Sequence, residues 1–386
     1  MSRIAVRIEP FSARDAHAVA ELQARVFPSP GWRSTAERAA YFCEVLLEAP
    51  WADAELPSWV AKDGERVVGF FGVAPRHMRF GDRTLRVAVG CQFMIDPQAR
   101  PGLVALQLMR RYFSGPQDLS VADGANEASR SLWQAAGGIS SSLHALHWVL
   151  LLRPVQSLWQ RAARGRRALG MLGAPFAALA DACVARLQPL GPQEGLREAP
   201  LDAVSLLAAQ RELIPHVCAM RPEYDEHGLA WLLEQAAAKK RHGELEGRLV
   251  LDAKGVVGWY LYYRNRGTSQ VVQLGARRAR MRDVLGCLAR RAREGGALAL
   301  EGRMEPQLAA ELAGSRYLLE NRGIAFLLQA RDTRLLLPFL RGDAFFSRLE
   351  GEWWMRFSGA ERPEPAREAP IPLKKRRIVL PAKAGT

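Results

Sequence analysis

Cysteine is scarce and unpatterned in this chain. The five among 386 residues (Cys43, Cys91, Cys183, Cys218, Cys287) form no Cys-x-x-Cys pair and no Cys/His cluster at zinc spacing. That excludes a disulfide framework and a metal centre, and points to a reducing compartment, the cytoplasm. The opening stretch, MSRIAVRIEPFSARDAH, lacks the apolar core of a signal peptide. The least polar stretch, Leu169 to Leu187, is broken by Pro175, Asp181 and Arg186, so no transmembrane segment is expected. Acidic residues are the minority charge, with 40 Asp+Glu against 54 Lys+Arg for a net +14. Such a balance favours anionic partners, but Arg is spread along the whole chain rather than gathered in a patch, and nucleic acid is not an expected partner. An apolar share of 48% excludes a disordered or fibrous chain and suffices for sizeable cores.

What the sequence does contain is α/β punctuation, and it appears twice. Ala5 to Ile8 reads as a strand, Ser12-x-x-Asp15 as a helix start, and Ser34 to Leu47 as a second helix. The Asp63-Gly64 turn joins Trp59–Ala61 to Val67–Val73 as a hairpin, and Leu85 to Ile95 forms a long strand. Helix Leu103–Phe113, strand Leu119–Ala122, helix Glu127–Ala136 and strand His144–Leu152 complete the first half. After residue 197 the same order returns: helices 203–213 and 228–238, a hairpin about Lys254-Gly255, strand 270–274, helix 281–293, strand 297–300 and helix 306–313. Last strands from Ile324 to Gln329 are expected to run on to Phe345, Phe346, Trp353 and Trp354. Each half predicts a mixed, mostly antiparallel sheet flanked by helices, a mixed α+β class.

The expected organisation is a first domain over 1–153, a basic helical connector over 154–196, a second domain over 197–357 and a disordered tail over 358–386. Two readings of the connector stand: a helix pair packed against the domains, or an amphipathic element making peripheral contact with anionic lipid or glycan. The oligomeric state is not legible.

Two segments carry the chemistry, VAVGCQFMIDPQARPGLVALQLMRRY (87–112) and DGANEASRSLWQAAGG (123–138). In the first, Phe93-Met94-Ile95-Asp96-Pro97 ends a strand, and Arg100-Pro101-Gly102-Leu103-Val104-Ala105 opens a helix. In the second, Asn126, Ser129, Trp133 and Gly137 follow a short strand at helical spacing. Together they resemble the acyl-CoA-binding core of the GNAT (GCN5-related N-acetyltransferase) superfamily, and the repeated element order makes the chain look like a tandem GNAT protein with a degenerate second domain.

That resemblance implies an N-acyltransferase that moves an acetyl or other acyl group from acyl-CoA to an amine or hydroxyl of a small molecule, amino sugar or peptide. It assigns Phe93, Met94, Ile95, Arg100, Gly102, Leu103, Val104, Ala105, Asn126 and Trp133 to acyl-CoA. A helix start offers unpaired N–H groups to a pyrophosphate, and glycine permits close approach. Leu103 stands where the pattern has its middle glycine, a one-residue shift puts Gly102 there instead, and Pro101 removes one N–H donor. The two registers differ in consequence: an open groove favours an enzyme, and Leu103 filling it favours a non-catalytic ligand- or partner-binding protein. Asn126 also suits a plain helix cap.

Transfer to an amine needs a base for the ammonium proton, an oxyanion donor and often an acid for the leaving thiolate. The resemblance implies a tyrosine acid at the position of Trp133, and an indole N–H does not give up its proton near neutrality. The oxyanion donor is expected to be a backbone N–H near Met94 or Ile95. Asp123 and His77 are the first base candidates, followed by His144 and His147, which strand geometry puts on opposite faces. In the second half, Arg277, Arg278, Arg280 and Arg282 are candidate phosphate clamps. Trp259 to Tyr263, Glu301 and Tyr317 read either as an acceptor groove or as core.

Overall fold

The computed structural model describes residues 6–28, 34–99, 101–163, 173, 175–183, 195–312 and 317–357. Arg100, most of the connector and the tail therefore lie outside the described residues. The first half begins with β1 (Arg7–Pro10), whose exit is closed by the reciprocal Ser12/Asp15 capping box read from the sequence. There follow α1 (Ala16–Val26), α2 (Thr35–Leu46), β2 (Trp59–Asp63), β3 (Arg66–Phe80), β4 (Arg83–Ile95), α3 (Pro101–Phe113), β5 (Leu119–Ala125), α4 (Glu127–Ala135), the short β6 (Ile139–Ser140) and β7 (Leu146–Leu151). Helix α5 (Pro154–Ala162) and α6 (residues 175–183) fall within 154–196, the stretch expected to be a connector.

The second half supplies β8 (Arg197–Pro200), α7 (Ala203–Leu213), β9 (Met220–Pro222), α8 (Glu226–Ala238), β10 (Glu244–Asp252), β11 (Gly255–Arg264), β12 (Thr268–Ala276), α9 (Met281–Glu294), β13 (Ala299–Arg303), β14 (Tyr317–Asn321) and β15 (Ala325–Ala330). The helix expected over 306–313 is a 3-10 turn (Pro306–Leu308) and one short helical turn (Ala309–Leu312). Beyond β15 the expected strands do not form. Residues 345–357 fold without regular secondary structure, in a chain of aromatic contacts between the two sheets.

The sheets have matching orders. One runs β1-β2-β3-β4-β5-β15-β6, with β9 added on β3; the other, read in the same sense, runs β8-β10-β11-β12-β13-β7-β14. Each half of the chain thus gives one interior strand to the other half's sheet, β7 and β15, and the second half also adds the short β9 to the first sheet. The sequence reading keeps β7 with its own half and so misses this exchange. Both exchanged strands are continuous apolar runs (LHWVLL and AFLLQA), as befits strands with neighbours on either side and both faces covered. The crossing is marked by His144, whose ring stacks on Phe326 of β15 at 4.7 Å.

One core joins the halves. Val19 and Phe42 from α1 and α2, Leu206 and Leu229 from α7 and α8, and Phe345 and Trp354 from the final segment share a single apolar cluster. Separate cores lie under α3 and α4 (Leu108, Tyr112, Trp133) and under α9 (Leu288, with Trp148 and Tyr260). Burying residues of this size stabilises by roughly 1.5–3 kcal/mol each. The shared core therefore fixes residues 345–357 against the first sheet, which sets the site.

Candidate functional site

The site begins with a gap in a sheet. The parallel β4–β5 ladder covers only Val87–Val89 against Leu119–Val121. Past it β4 carries a bulge, with Gln92 and Phe93 facing the single residue Phe71 of β3, and Gln92 takes a left-handed φ of 48°. Strand β5 runs on to Ala125 while paired with β15 instead. The two strands splay, and a cleft of about 290 Å³ opens between them, lined by Phe71, Gly90, Phe93, Met109 and Ala122 on its apolar side. Asn126 and Trp133 stand on its α4 side.

The structure divides the expected ligand residues. Phe93, Asn126 and Trp133 line the cleft together. Asn126 caps α4, its Oδ1 accepting from Ser129 N at 2.9 Å, so the cap reading and the cleft position hold at once. Trp133 is 2% exposed and packs edge-on against Phe113, with its Nε1–H lacking a hydrogen-bond partner among the described residues. Met94 does not line the cleft: it is fully buried in the shared core, while Ile95 packs beside Gly69. Val104 and Ala105 are buried in the core beneath α3 and at its edge, Val104 beside Gly69. Gly102 is exposed with open space around it, and Leu103 is 49% exposed and absent from the cleft lining. Leu103 therefore does not fill the groove.

The base candidates separate as well. His77 is exposed and lines a different cavity where β9 docks on β3, beside Glu223 and Tyr224. It faces Arg86 on β4, well along the sheet from the bulge. His144 is enclosed by Ser141 and Phe326, and burial, with the Arg303 charge, holds its imidazole down to about 3. His147 faces a second chamber, and burial, then Arg348, hold it down to about 3 also. Neither accepts a proton at neutral pH.

Asp123 lies in that second chamber, about 290 Å³ in volume, where the two sheets meet. It is lined by Asp123, Glu301, Arg303, Arg322 and Arg348, with Lys239 and Trp353 at one side. Asp123 is tied down: its carboxylate accepts from Arg303 Nη1 at 2.8 Å and from Glu352 N at 2.8 Å. Both side chains of the Asp123–Arg303 pair are almost fully buried.

Glu352 is the residue that sequence reasoning missed. It lines both cavities, which also share Gln92, Gly124 and Phe357. Burial, then the Asp123 carboxylate, push its carboxyl up to about 8, against the opposing pull of the Gln92 backbone N–H and of Lys239. A group poised there suits proton transfer near neutrality. Its acidic partner on the first half, Asp123, is 229 positions away in the chain, and no local spacing signals the meeting.

The equivalent gap in the second sheet is closed. Strand β12 carries its own bulge near Val272, and its ladder with β13 stops at Gln270–Glu301. Past that point Arg348 donates to Val271 O at 3.0 Å and Gln307 to Leu274 O at 3.1 Å, so side chains of the same chain occupy the opened edge. Three of the four arginines considered as phosphate clamps pair with acids, Arg277 with Glu212, Arg280 with Asp252 and Asp283, and Arg282 with Glu311, while Arg278 is exposed. Trp259 to Tyr263 are buried core, Tyr317 packs on Trp148, and Glu301 alone of that group lines the chamber. Among the described residues no group of three or more His, Cys, Asp or Glu can hold a metal, and no helix is long and apolar enough to cross a membrane.

No known protein family and no curated protein matches this sequence. Solved structures do match the fold. A conserved protein of unknown function from Enterococcus faecalis V583, described as a probable N-acyltransferase, superposes with a TM-score of 0.56 at 8% identity, over 86% of this chain and 74% of that one. A GCN5-related N-acetyltransferase from Anabaena variabilis ATCC 29413 gives 0.56 at 12% identity, over 84% and 73%. One from Kribbella flavida gives 0.52 at 12%, over 85% and 72%.

Proposed function

From the premise that this chain has the fold of the GCN5-related N-acetyltransferases, we propose that it is an acyltransferase whose acyl-CoA site is the β4–β5 cleft and whose acceptor enters the charged chamber. The observation that carries the reading is that the two cavities share Gln92, Gly124 and Glu352. An apolar slot fits the pantetheine arm and acyl chain, a charged chamber fits a polar acceptor, and an elevated carboxyl stands between them.

Acyl-CoA supplies an activated thioester carbon. The Glu352 carboxylate takes the proton from the acceptor ammonium, which frees the nitrogen lone pair for that carbon. Asn126 orients the pantetheine arm from the head of α4, and Phe71 and Phe93 exclude water from the slot. Trp133 holds no transferable proton, and burial drives the Cys91 thiol well above its usual range, so neither protonates or replaces the leaving thiolate. As the C–N bond forms the C–S bond breaks, the thiolate leaves to solvent water, and the second proton of the nitrogen passes to that water, from which the thiolate is protonated. The expected acceptor is an amine of a small molecule, amino sugar or peptide. Five free cysteines fit a cytoplasmic setting.

Trp133 favours a second reading, a GNAT-fold protein that binds acyl-CoA or another ligand without turnover. Release of CoA thiol from acetyl-CoA in the presence of an amine panel separates the two. Turnover reduced about 10²-fold or more by Glu352→Gln supports the first reading. Acetyl-CoA binding with no turnover on any amine supports the second.

A further inference from the structure

The charged chamber is walled by guanidinium groups. Arg303 and Arg348 are 5% and 3% exposed, and each spends its terminal nitrogens on partners within the chain: Asp123 and Phe346 O for Arg303, Gln270, Val271 O and Glu301 for Arg348. Arg322 lines the same chamber with its side chain 26% exposed. A cavity so lined has room for a group that arrives from outside.

Charge indicates which group. The chamber is lined by the cations Lys239, Arg241, Arg303, Arg322 and Arg348 against the acids Asp123, Glu301 and Glu352. Arg322 and Arg348 share the single carboxylate of Glu301, although Arg322 also reaches Glu320. A guanidinium N–H in a low-dielectric cavity is matched best by an anionic oxygen. The volume, about 290 Å³, suits a molecule of amino-acid size rather than a folded partner.

We propose that the acceptor is a small amine that also carries an anionic oxygen group, carboxylate or phosphate, with its nitrogen at Glu352 and its anionic end on the guanidinium side of the chamber, beside Arg322 and Arg348. This rests on the acyl-transfer reading for the nitrogen's role, while the anion subsite stands on the chamber alone. It narrows the acceptor class from amines in general to zwitterionic or phosphorylated amines.

The test compares isosteric probes on the full-length protein: 4-aminobutyrate against 4-aminobutanamide, and O-phosphoethanolamine against ethanolamine. Binding is read by calorimetry without acetyl-CoA, and CoA release is read with a thiol reagent. At least one anionic member is expected to bind and react about tenfold or more better than its neutral counterpart, the scale of one charge-assisted hydrogen bond. The pair showing the larger ratio identifies carboxylate or phosphate. Arg322→Gln, which removes one charge at a partly exposed position of the lining, is expected to shrink that ratio. Arg348→Met tests the charge of the chamber if Arg322→Gln does not fold. Equal affinity for the neutral and anionic members, or binding of neither, overturns the proposal. Preference for the anion in a protein that does not bind acetyl-CoA supports the subsite and removes the acyl-transfer reading.

Discussion

Gly124 of β5 and Glu352 of the final segment occupy touching space: a Cβ on Gly124 would overlap the Glu352 carboxylate. The relation is reciprocal one residue back along each chain, because a Cβ on Gly351 would overlap the Asp123 carboxylate. Two Gly-acid contacts therefore seat the end of the second half against the cleft of the first. Gly124→Ala is expected to push the Glu352 side chain aside without moving backbone, since the blocked atoms end a flexible side chain. Acyl transfer should fall by about 10²-fold, the scale of losing a positioned base, while the melting temperature changes little; steady-state kinetics and a thermal melt check both.

The position of the Glu352 carboxyl fixes a pH dependence. The base must be ionised, so kcat/KM is expected to rise with pH through about 8, and that limb should vanish in Glu352→Gln. Stability runs the other way. A carboxyl raised in the folded state contributes stability that is fully present below its unfolded value of 4.5 and is lost as pH rises through about 8. Denaturant titrations at pH 5 and pH 9 should show Glu352→Gln gaining on the parent at the higher pH. Part of the loss remains in both proteins, because burial also pushes Glu305 up to about 8.

The Asp123–Arg303 pair spans the two halves in a dry setting. Removing one partner, as in Asp123→Asn, leaves a buried guanidinium short of its counter-charge and is expected to cost about 3–5 kcal/mol. The double change Asp123→Asn with Arg303→Met should recover part of that loss, and a double-mutant cycle in urea reads the coupling.

Trp133 tests the leaving-group assignment. Its indole lines the cleft, packed on Phe113, and cannot serve as an acid, so Trp133→Phe is expected to keep kcat within about threefold. A larger loss of kcat with an unchanged KM would assign the Nε1–H a part in the chemistry.

Much of the first sheet and three residues of the cleft, Phe93, Asn126 and Trp133, are legible in the sequence, because their signals are local. The Ser12/Asp15 capping box, the Asp63-Gly64 turn, the Asn126 cap and the Trp133 spacing are each written within a few residues and recur in the fold. The strand exchange is not local. β7 and β15 are apolar runs that suit a central position in either sheet, and only the whole chain decides which. Glu352 fails for the same reason, since its elevated carboxyl comes from burial and from the Asp123 carboxylate and not from any neighbour in sequence. His77 misled because a histidine on β3 has no sequence mark that tells one end of the strand from the other.

Calorimetric titration of the full-length protein with acetyl-CoA tests the central claim most directly. The open cleft of the first sheet and the side-chain-filled gap of the second predict one site per chain with micromolar affinity, weakened about tenfold by Asn126→Ala, equivalent to about 1.4 kcal/mol. Absence of binding, or two equivalent sites per chain, contradicts the account.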